Sequence, residues 1–429
     1  MEKTKGVTFL GADDALNLGV FEIEHESEND PRVTLSRESF RAVSAFGFKR
    51  GLCAFKSKTS PNWRLSLVTM ESKIDSQKGR IIKEYSNPRR LSFFMGNAAK
   101  VATPTRFLDK KIADFDDLLS RFSIEVVNKQ FYNDIARKFT QLVGGDRTIG
   151  SESIHADAAL RLPSVISHEV HQQFGVRLIG RLVFCWFLKK KGLIPEEILN
   201  SGDVEKQYYH HVVEPLFFQV LNKPAKDRSE SYQKAPWRQI PFLNGGLFEA
   251  KNSDYYLFDE GTELSKHINT VVVPDEWLKG FIEILETYNF TIDENNTIDI
   301  DLSIDPEMLG RIFENLLAEL NPETGETARK ETGSFYTPRQ IVDYMVSTSI
   351  KLYLKEKAKL DDTLLDKLLD YNEPENPLDD AQTDNVIDAL HNLKILDPAC
   401  GSGAFPMGIL QHVLLVLSKI DPKSEKWLD

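Results

Sequence analysis

Cysteine is scarce in this chain. Only Cys53, Cys185 and Cys400 occur in 429 residues. They are far apart and odd in number, so neither a disulfide framework nor a zinc site is suggested. Long apolar runs are also missing. None approaches the roughly 20 residues that a membrane-crossing helix needs. Met1-Glu-Lys-Thr-Lys is not followed by the apolar core of a signal peptide. A cytoplasmic protein is the expectation. Positive charge is in deficit too, with a formal net charge of −12, which taken globally argues against a nucleic-acid partner. The deficit is uneven. From Lys49 to Lys111 there are fifteen Lys/Arg and four Asp/Glu, a surplus of +11 that leaves about −23 for the remainder. A DNA-facing region on an acidic protein would show that asymmetry, and so would a solvated basic surface.

What is present divides into three parts. Residues 1–111 read as a β-rich basic domain. Gly51–Lys56, Trp63–Thr69, Arg80–Glu84 and Arg90–Met95 are short runs of β-formers separated by turn residues such as Thr59-Ser-Pro-Asn62. Residues 112–330 read as a helical connector. Phe115–Val143 has apolar residues at helical spacing up to the Gly144-Gly145 break, and Phe174–Lys191 and Pro274–Thr287 follow as further helices. Lys189-Lys-Lys191 is read as satisfying a helix C-terminus rather than phosphate. Pro241-Phe-Leu-Asn-Gly-Gly-Leu-Phe-Glu249 demands an unusual backbone and is read as a structural turn packing the helical domain against the catalytic one. His171, His210 and His211 lack metal-ligand spacing. Residues 331–429 hold a helix-like run from Arg339 to Ile350, an acidic insert, Asp361–Asp384, read as a solvated excursion, and the most informative stretch of the chain.

That stretch is Leu393–Leu410. A short apolar run (Leu393, Ile395, Leu396) leads into Asp397-Pro-Ala-Cys-Gly401-Ser402-Gly403-Ala404-Phe405, and a helix-like run, Met407–Leu417, follows. Strand, tight glycine turn, helix is the expected order. Glycine allows backbone to approach a ligand without a Cβ in the way. The helix N-terminus offers unpaired N–H groups to an anionic group, and Asp397 would sit at a carboxyl strand end, where open α/β sheets bind ligands.

The string resembles motif I, the S-adenosylmethionine (SAM) loop, of N6-adenine DNA methyltransferases. Gly333-Ser-Phe-Tyr336-Thr337-Pro338 resembles motif X of the same enzymes, and it precedes motif I as in the gamma-class order. The wider likeness is to type IIG restriction–modification enzymes and related phage-defence methyltransferases. Arg89–Gly96, Thr103–Leu108, Phe122–Tyr132, Pro241–Glu249 and Asp305–Ala318 are similar to strings of that group. The resemblance implies an α/β multidomain protein whose last part begins a Rossmann-like, SAM-dependent methyltransferase domain. It implies SAM as cofactor, held by Tyr336, Thr337, Pro338, Asp397, Pro398, Ala399, Gly401, Ser402 and Gly403, and double-stranded DNA as partner, with the target adenine flipped out of the duplex.

The family's catalytic motif, Asp/Asn/Ser-Pro-Pro-Tyr/Phe, is absent. No Pro-Pro pair occurs anywhere. An acid on a second strand to hold the ribose hydroxyls is also missing, Asp421 coming too early. A one-strand parallel sheet cannot bury its faces. The expectation is therefore an N-terminal portion, completed by a C-terminal remainder or a partner chain and inactive in methyl transfer alone. Two other readings stay open. One is a DNA- or partner-binding module with a vestigial SAM loop. The other is a Mg²⁺-dependent nuclease, in which Glu71 and Lys73 (Glu71-Ser-Lys73, with Glu22 and Glu24 upstream) would hold metal and activate water.

Overall fold

The computed structural model describes residues 4–26, 32–72, 85–96, 102–163, 167–243, 246–291, 299–304, 308, 310, 337, 339–370, 375–398, 400 and 403–427. The chain divides into two compact units, Met1–Glu323 and Thr324–Asp429. Together they are mixed α/β, with a β-rich sheet at the N-terminus followed by a helical region.

The first unit is built on a sheet whose strands are β1 (Thr4–Asp13), β2 (Leu18–His25), β3 (Arg50–Ser57), β4 (Trp63–Ser72) and β5 (Tyr85–Met95), in that spatial order. A short strand, Asp299–Asp301, pairs parallel with β5. Helix α1 (Arg32–Ala45) connects β2 to β3, which run parallel, and the other neighbours are antiparallel. The expected runs 51–56, 63–69 and 90–95 fall inside β3, β4 and β5, whereas 80–84 lies outside the described residues.

Successive strand residues point to opposite faces. Phe21, Ile23, Cys53, Phe55, Val68 and Met70 therefore meet Phe40 and Val43 of α1 on one side. Leu67, Leu91 and Phe93 turn the other way, into the larger core shared with the helices.

Those helices are α2 (Ala102–Leu108), α3 (Phe115–Arg121), α4 (Ile124–Val143), α5 (His168–Lys190) and α6 (Asp275–Thr287). Along α4, Val127, Phe131, Ile135, Phe139 and Leu142 recur at three- and four-residue spacing, and all are fully buried. The helix stops at Gly144 and Gly145, both at positive φ. Between α5 and α6 the chain forms a π-helical stretch, Tyr209–Val213 and Pro215–Leu221. Proline has no N–H for an α-ladder, and here the Glu214 N–H reaches back to Tyr209 O.

The second unit holds α7 (Arg339–Lys357), α8 (Asp362–Leu369), α9 (Asp380–His391) and α10 (Ala404–Ile420). Two expectations fail here. The acidic insert 361–384 is not a solvated excursion, because it contains α8 and the start of α9. Leu365, Leu368 and Leu369 on α8, and Val386 on α9, are buried in the unit's core. Spacing on the helix, not bulk acidity, decided which side was wetted. The expected strand at Leu393–Leu396 is not a strand either. Residues 393–397 join no ladder among the described residues, and a β-strand exists only through its neighbours. Asp397 is therefore not at a strand's carboxyl end in this unit. No described helix is long and apolar enough to cross a membrane.

Candidate functional site

Helix α10 begins immediately after the glycine-rich turn. Gly403 is its N-cap at φ +85°, in the left-handed region that L side chains rarely adopt. Its N–H donates to Cys400 O at 2.8 Å, closing the turn, and its carbonyl accepts from Met407 N at 2.9 Å, opening the helix. By helix geometry, the N–H groups of Ala404 and Phe405 have no intrahelical acceptor, and Pro406 has none to offer. Asp397 is half-buried, while Pro398 and Cys400 are exposed.

Helix α7 follows the motif X string, and it packs directly on α10. A methyl group at Gly408 would lie 3.1 Å from Val342 Cγ1 and 3.3 Å from Val346 Cγ2, so this approach depends on glycine. His412 of α10, almost wholly buried, places Nε2 3.4 Å from Asp343 Oδ1 of α7, and its Nδ1 lies 3.0 Å from Gly408 O. Val342 stands in the first turn of α7 and Gly408 in the second turn of α10. The segments that lead into these helices, which carry Thr337 and Gly403, thus each enter within a few residues of this contact. Thr337 is half-buried. Tyr336, Pro338, Ala399, Gly401 and Ser402 lie outside the described residues.

The nuclease pair Glu71 and Lys73 falls outside the described side chains. Glu71 is on β4, its side chain outside the described residues, and Lys73 lies outside them altogether. Glu22 and Glu24 of β2 pair with Lys56 and Lys58 of the neighbouring strand and its turn. Among the described residues no three His, Cys, Asp or Glu side chains are grouped to hold a metal.

The basic surplus at 49–111 is also partly spent inside the fold. Arg64 and Arg90 are buried, with Arg90 over the Phe55 ring, Arg106 bonds Asp134 at 2.7 Å, and Arg50 lies over the Phe115 ring. Burial pushes the Cys53 thiol up to about 12, and Cys185 also well above its ordinary value, so neither offers a thiolate.

Sequence reasoning missed the buried polar groups around the π-helical stretch. Arg181 on α5 forks onto both Asp254 oxygens at 3.0 Å and donates to Leu247 O and Glu249 O; Arg177 adds a bond to Asp254 Oδ1. Burial pushes the Asp254 carboxyl up, but Arg181, the Lys251 N–H and Arg177 outweigh it and hold the group below its usual value. The end of the 241–249 turn is thereby tied to α5 within the first unit.

His210 Nδ1 lies 2.7 Å from Glu214 Oε2, and its Nε2 lies 2.9 Å from Val271 O, both side chains being buried. Burial alone would depress His210, but the hydrogen bond and charge of Glu214 raise it above its ordinary value. The i,i+4 spacing of His210 and Glu214 was the available signal, though a His–Glu pair on a helix is ordinary. Lys189 departs from the expected role at the helix C-terminus, because it ties the segment after α5 and not the helix's own last turn. Its ammonium is buried and donates to the carbonyls of Glu196, Ile198 and Leu199 at 2.8–3.0 Å.

Residues 195–302, which include His210, Glu214 and Asp254, match a protein family described as a domain of unknown function (DUF7814). Over 268 residues the chain is 29% identical to a Methanocaldococcus jannaschii protein named "Putative type II restriction enzyme and methyltransferase", an alignment covering 58% of this chain and 21% of that protein. The chain thus spans about a fifth of the length of the relative it matches. No solved structure matches. The comparison places the chain among distant relatives of a restriction–modification protein.

Proposed function

We propose that this chain is the N-terminal part of a SAM-dependent DNA methyltransferase of a restriction–modification or phage-defence system, of the type IIG, N6-adenine-modifying kind. The observation that carries the reading is the packing of α7 on α10 through Val342, Val346 and Gly408. Two strings that resemble separate cofactor motifs, 66 residues apart in sequence at Thr337 and Gly403, lead into helices that touch near their first turns.

The residues present suit a zwitterionic ligand. Ala404 and Phe405 offer N–H groups at a helix N-terminus, where a carboxylate is favoured. The Asp397 carboxylate would accept from an ammonium, directly or through water. Gly401 and Gly403, with Pro398, Ala399 and Ser402 in the same turn, would leave the backbone open to close approach. Tyr336, Thr337 and Pro338 would close over the same end. SAM, when bound, supplies a sulfonium-activated methyl group. This chain supplies no side chain to receive the adenine, since the Pro-Pro motif is absent. Double-stranded DNA is the substrate proposed for the completed enzyme.

Calorimetric titration of SAM tests the reading. The expected result is no methyl transfer to DNA by the purified chain, and SAM binding once the polypeptide encoded directly downstream of residue 429 is included. Loss of that binding in Gly403→Val would assign it to this turn, because a β-branched residue at φ +85° is strained. Absence of SAM binding by the combined polypeptides would overturn the reading.

A further inference from the structure

The first unit contains a cleft of about 510 Å³, a size typical of small-ligand sites. Its walls come from two segments. Ile198, Tyr208 and Val212 line one side, and Pro236 and Trp237 the other.

Both walls are pinned by buried cations. Lys189 holds the carbonyls of Glu196, Ile198 and Leu199. Arg228, 3% exposed, donates to those of Lys223, Trp237 and Ile240 at 2.9–3.1 Å. Hydrogen bonds fix the first wall further. The Tyr208 hydroxyl accepts from Leu199 N at 3.0 Å, and Asp275 accepts from the N–H groups of Gln207 and Tyr208 at 2.9 and 2.8 Å. Leu199, Lys206 and Gln207 are thereby kept at φ +56°, +57° and +61°, a region costly for residues with a side chain. On the second wall the Trp237 ring stands edge-on to Tyr232, with centroids 5.6 Å apart. The cleft is pre-formed, so a ligand need not order it.

Its charge is one-sided. Glu197, Asp203, Glu205, Lys206 and His211 also line it, all at exposed positions. Glu205 pairs with Lys206 at 2.9 Å, which leaves Glu197 and Asp203 as net negative charge at the rim. A phosphate-bearing ligand is repelled there. An aromatic face beside carboxylates suits an organic cation, and a planar guanidinium best, because it stacks on the ring while it donates to the acids.

We propose that this cleft binds an alkyl guanidinium or ammonium group, its charge toward Glu197 and Asp203 and its stem along Trp237 and Val212. The group reaches the cleft either on a free small molecule or as an arginine or lysine side chain of a polypeptide. Every lining residue falls within the matched span 195–302, so the site is separate from the glycine turn and stands without the methyltransferase reading.

Calorimetry on the 429-residue chain, without SAM or DNA, tests the proposal with three probes. They are agmatine, acetyl-Gly-Arg-Gly-amide, and the same peptide with neutral citrulline in place of arginine. Both cations bind, and the citrulline peptide binds about tenfold more weakly or worse. Trp237→Leu weakens binding of the cations about tenfold. Glu197→Gln and Asp203→Asn weaken it about threefold each and leave the thermal midpoint of the chain unchanged. Those two variants carry the test if Trp237→Leu disturbs the packing against Tyr232. An arginine peptide that binds much more tightly than agmatine makes a polypeptide the source, and one that binds no more tightly makes it a free cation.

Equal binding of the arginine and citrulline peptides would overturn the proposal. So would indifference of binding to both carboxylate variants, or binding of neither cation at roughly millimolar concentration. Adenosine binding in preference to the cations, lost in Trp237→Leu, would make the cleft a base-stacking site instead and overturn it too.

Discussion

The two units differ in how completely they bury themselves. Among described residues the first exposes eight large apolar side chains over Met1–Glu323. The second exposes nine over a stretch about a third as long. In the first they are scattered, apart from the Phe9–Phe46 stack at a sheet edge, as on any protein surface. In the second, Met407, Leu410 and Leu414 follow one another along one helix stripe. Both units handle buried cations alike. Lys189 donates to three carbonyls in the first, and Lys419 donates to those of Lys367, Leu368 and Asp370 at the end of α8 in the second. These two lysines are satisfied in the same way, and the difference between the units lies in apolar cover. That separates a unit whose exposed apolar side chains are scattered from one in which several line up along a single helix.

The largest expected effect lies in the first unit's core. Asp254→Ala leaves Arg181 buried and short of its carboxylate, which costs about 3–5 kcal/mol. Denaturant unfolding should show the first unit's transition moving to lower denaturant, with the second unit's little changed. Next comes Leu368→Ala, fully buried in the second unit, at about 2–5 kcal/mol. If that substitution costs nothing, the acidic insert is a solvated loop after all and the second unit has no core of its own.

Much of the fold could be read from the chain because its signals are local. Runs of β-formers between turn residues marked β3, β4 and β5, and helix-like apolar runs marked α4, α5, α6, α7 and α10. The failures came where a non-local term decided. Asp361–Asp384 is rich in acids, yet Leu365, Leu368 and Leu369 bury one stripe of α8, and composition averages that stripe away. Leu393–Leu396 has the residues of a strand without a neighbour to pair with. At the candidate site the glycine turn and the helix after it were legible from Asp397–Leu417. The dependence on Gly408 was not, since a glycine within an apolar helix declares itself only through what it packs against. The buried Arg181–Asp254 fork was invisible for the same reason, its partners being 73 residues apart.

A pH dependence separates the units further. Folding raises His210 above its ordinary 6.5 through Glu214, against the opposing effect of burial. A raised folded-state value means that protonated His210 favours the folded form. Its contribution is fully present below about pH 6.5 and is lost as pH rises through the higher folded value. Unfolding of the first unit followed across that window should show stability declining with pH, and His210→Asn should flatten the slope. The second unit's transition should show no matching change with that substitution.

A smaller effect tests whether the insert is ordered at its ends as well as in its core. Asp379 caps α9, accepting from Gln382 N at 2.8 Å, and the Gln382 side chain accepts from Asp379 N at 3.1 Å. Asp379→Ala should cost the second unit about 1 kcal/mol.

The smallest effect is expected at the residue with the most exposed apolar side chain in that unit. Leu396→Ser removes three side-chain carbons and adds a hydroxyl, at least as drastic a change as Leu368→Ala in chemical terms. Yet Leu396 is 87% exposed and Leu368 is fully buried. Burial, not residue type, sets the transfer and cavity costs. The chain alone should therefore keep its stability to within about 0.5 kcal/mol, while its solubility rises because an apolar surface has been made polar. A cost at Leu396 comparable to that at Leu368 would mean that the second unit already buries this segment, and the contrast between the two units would disappear.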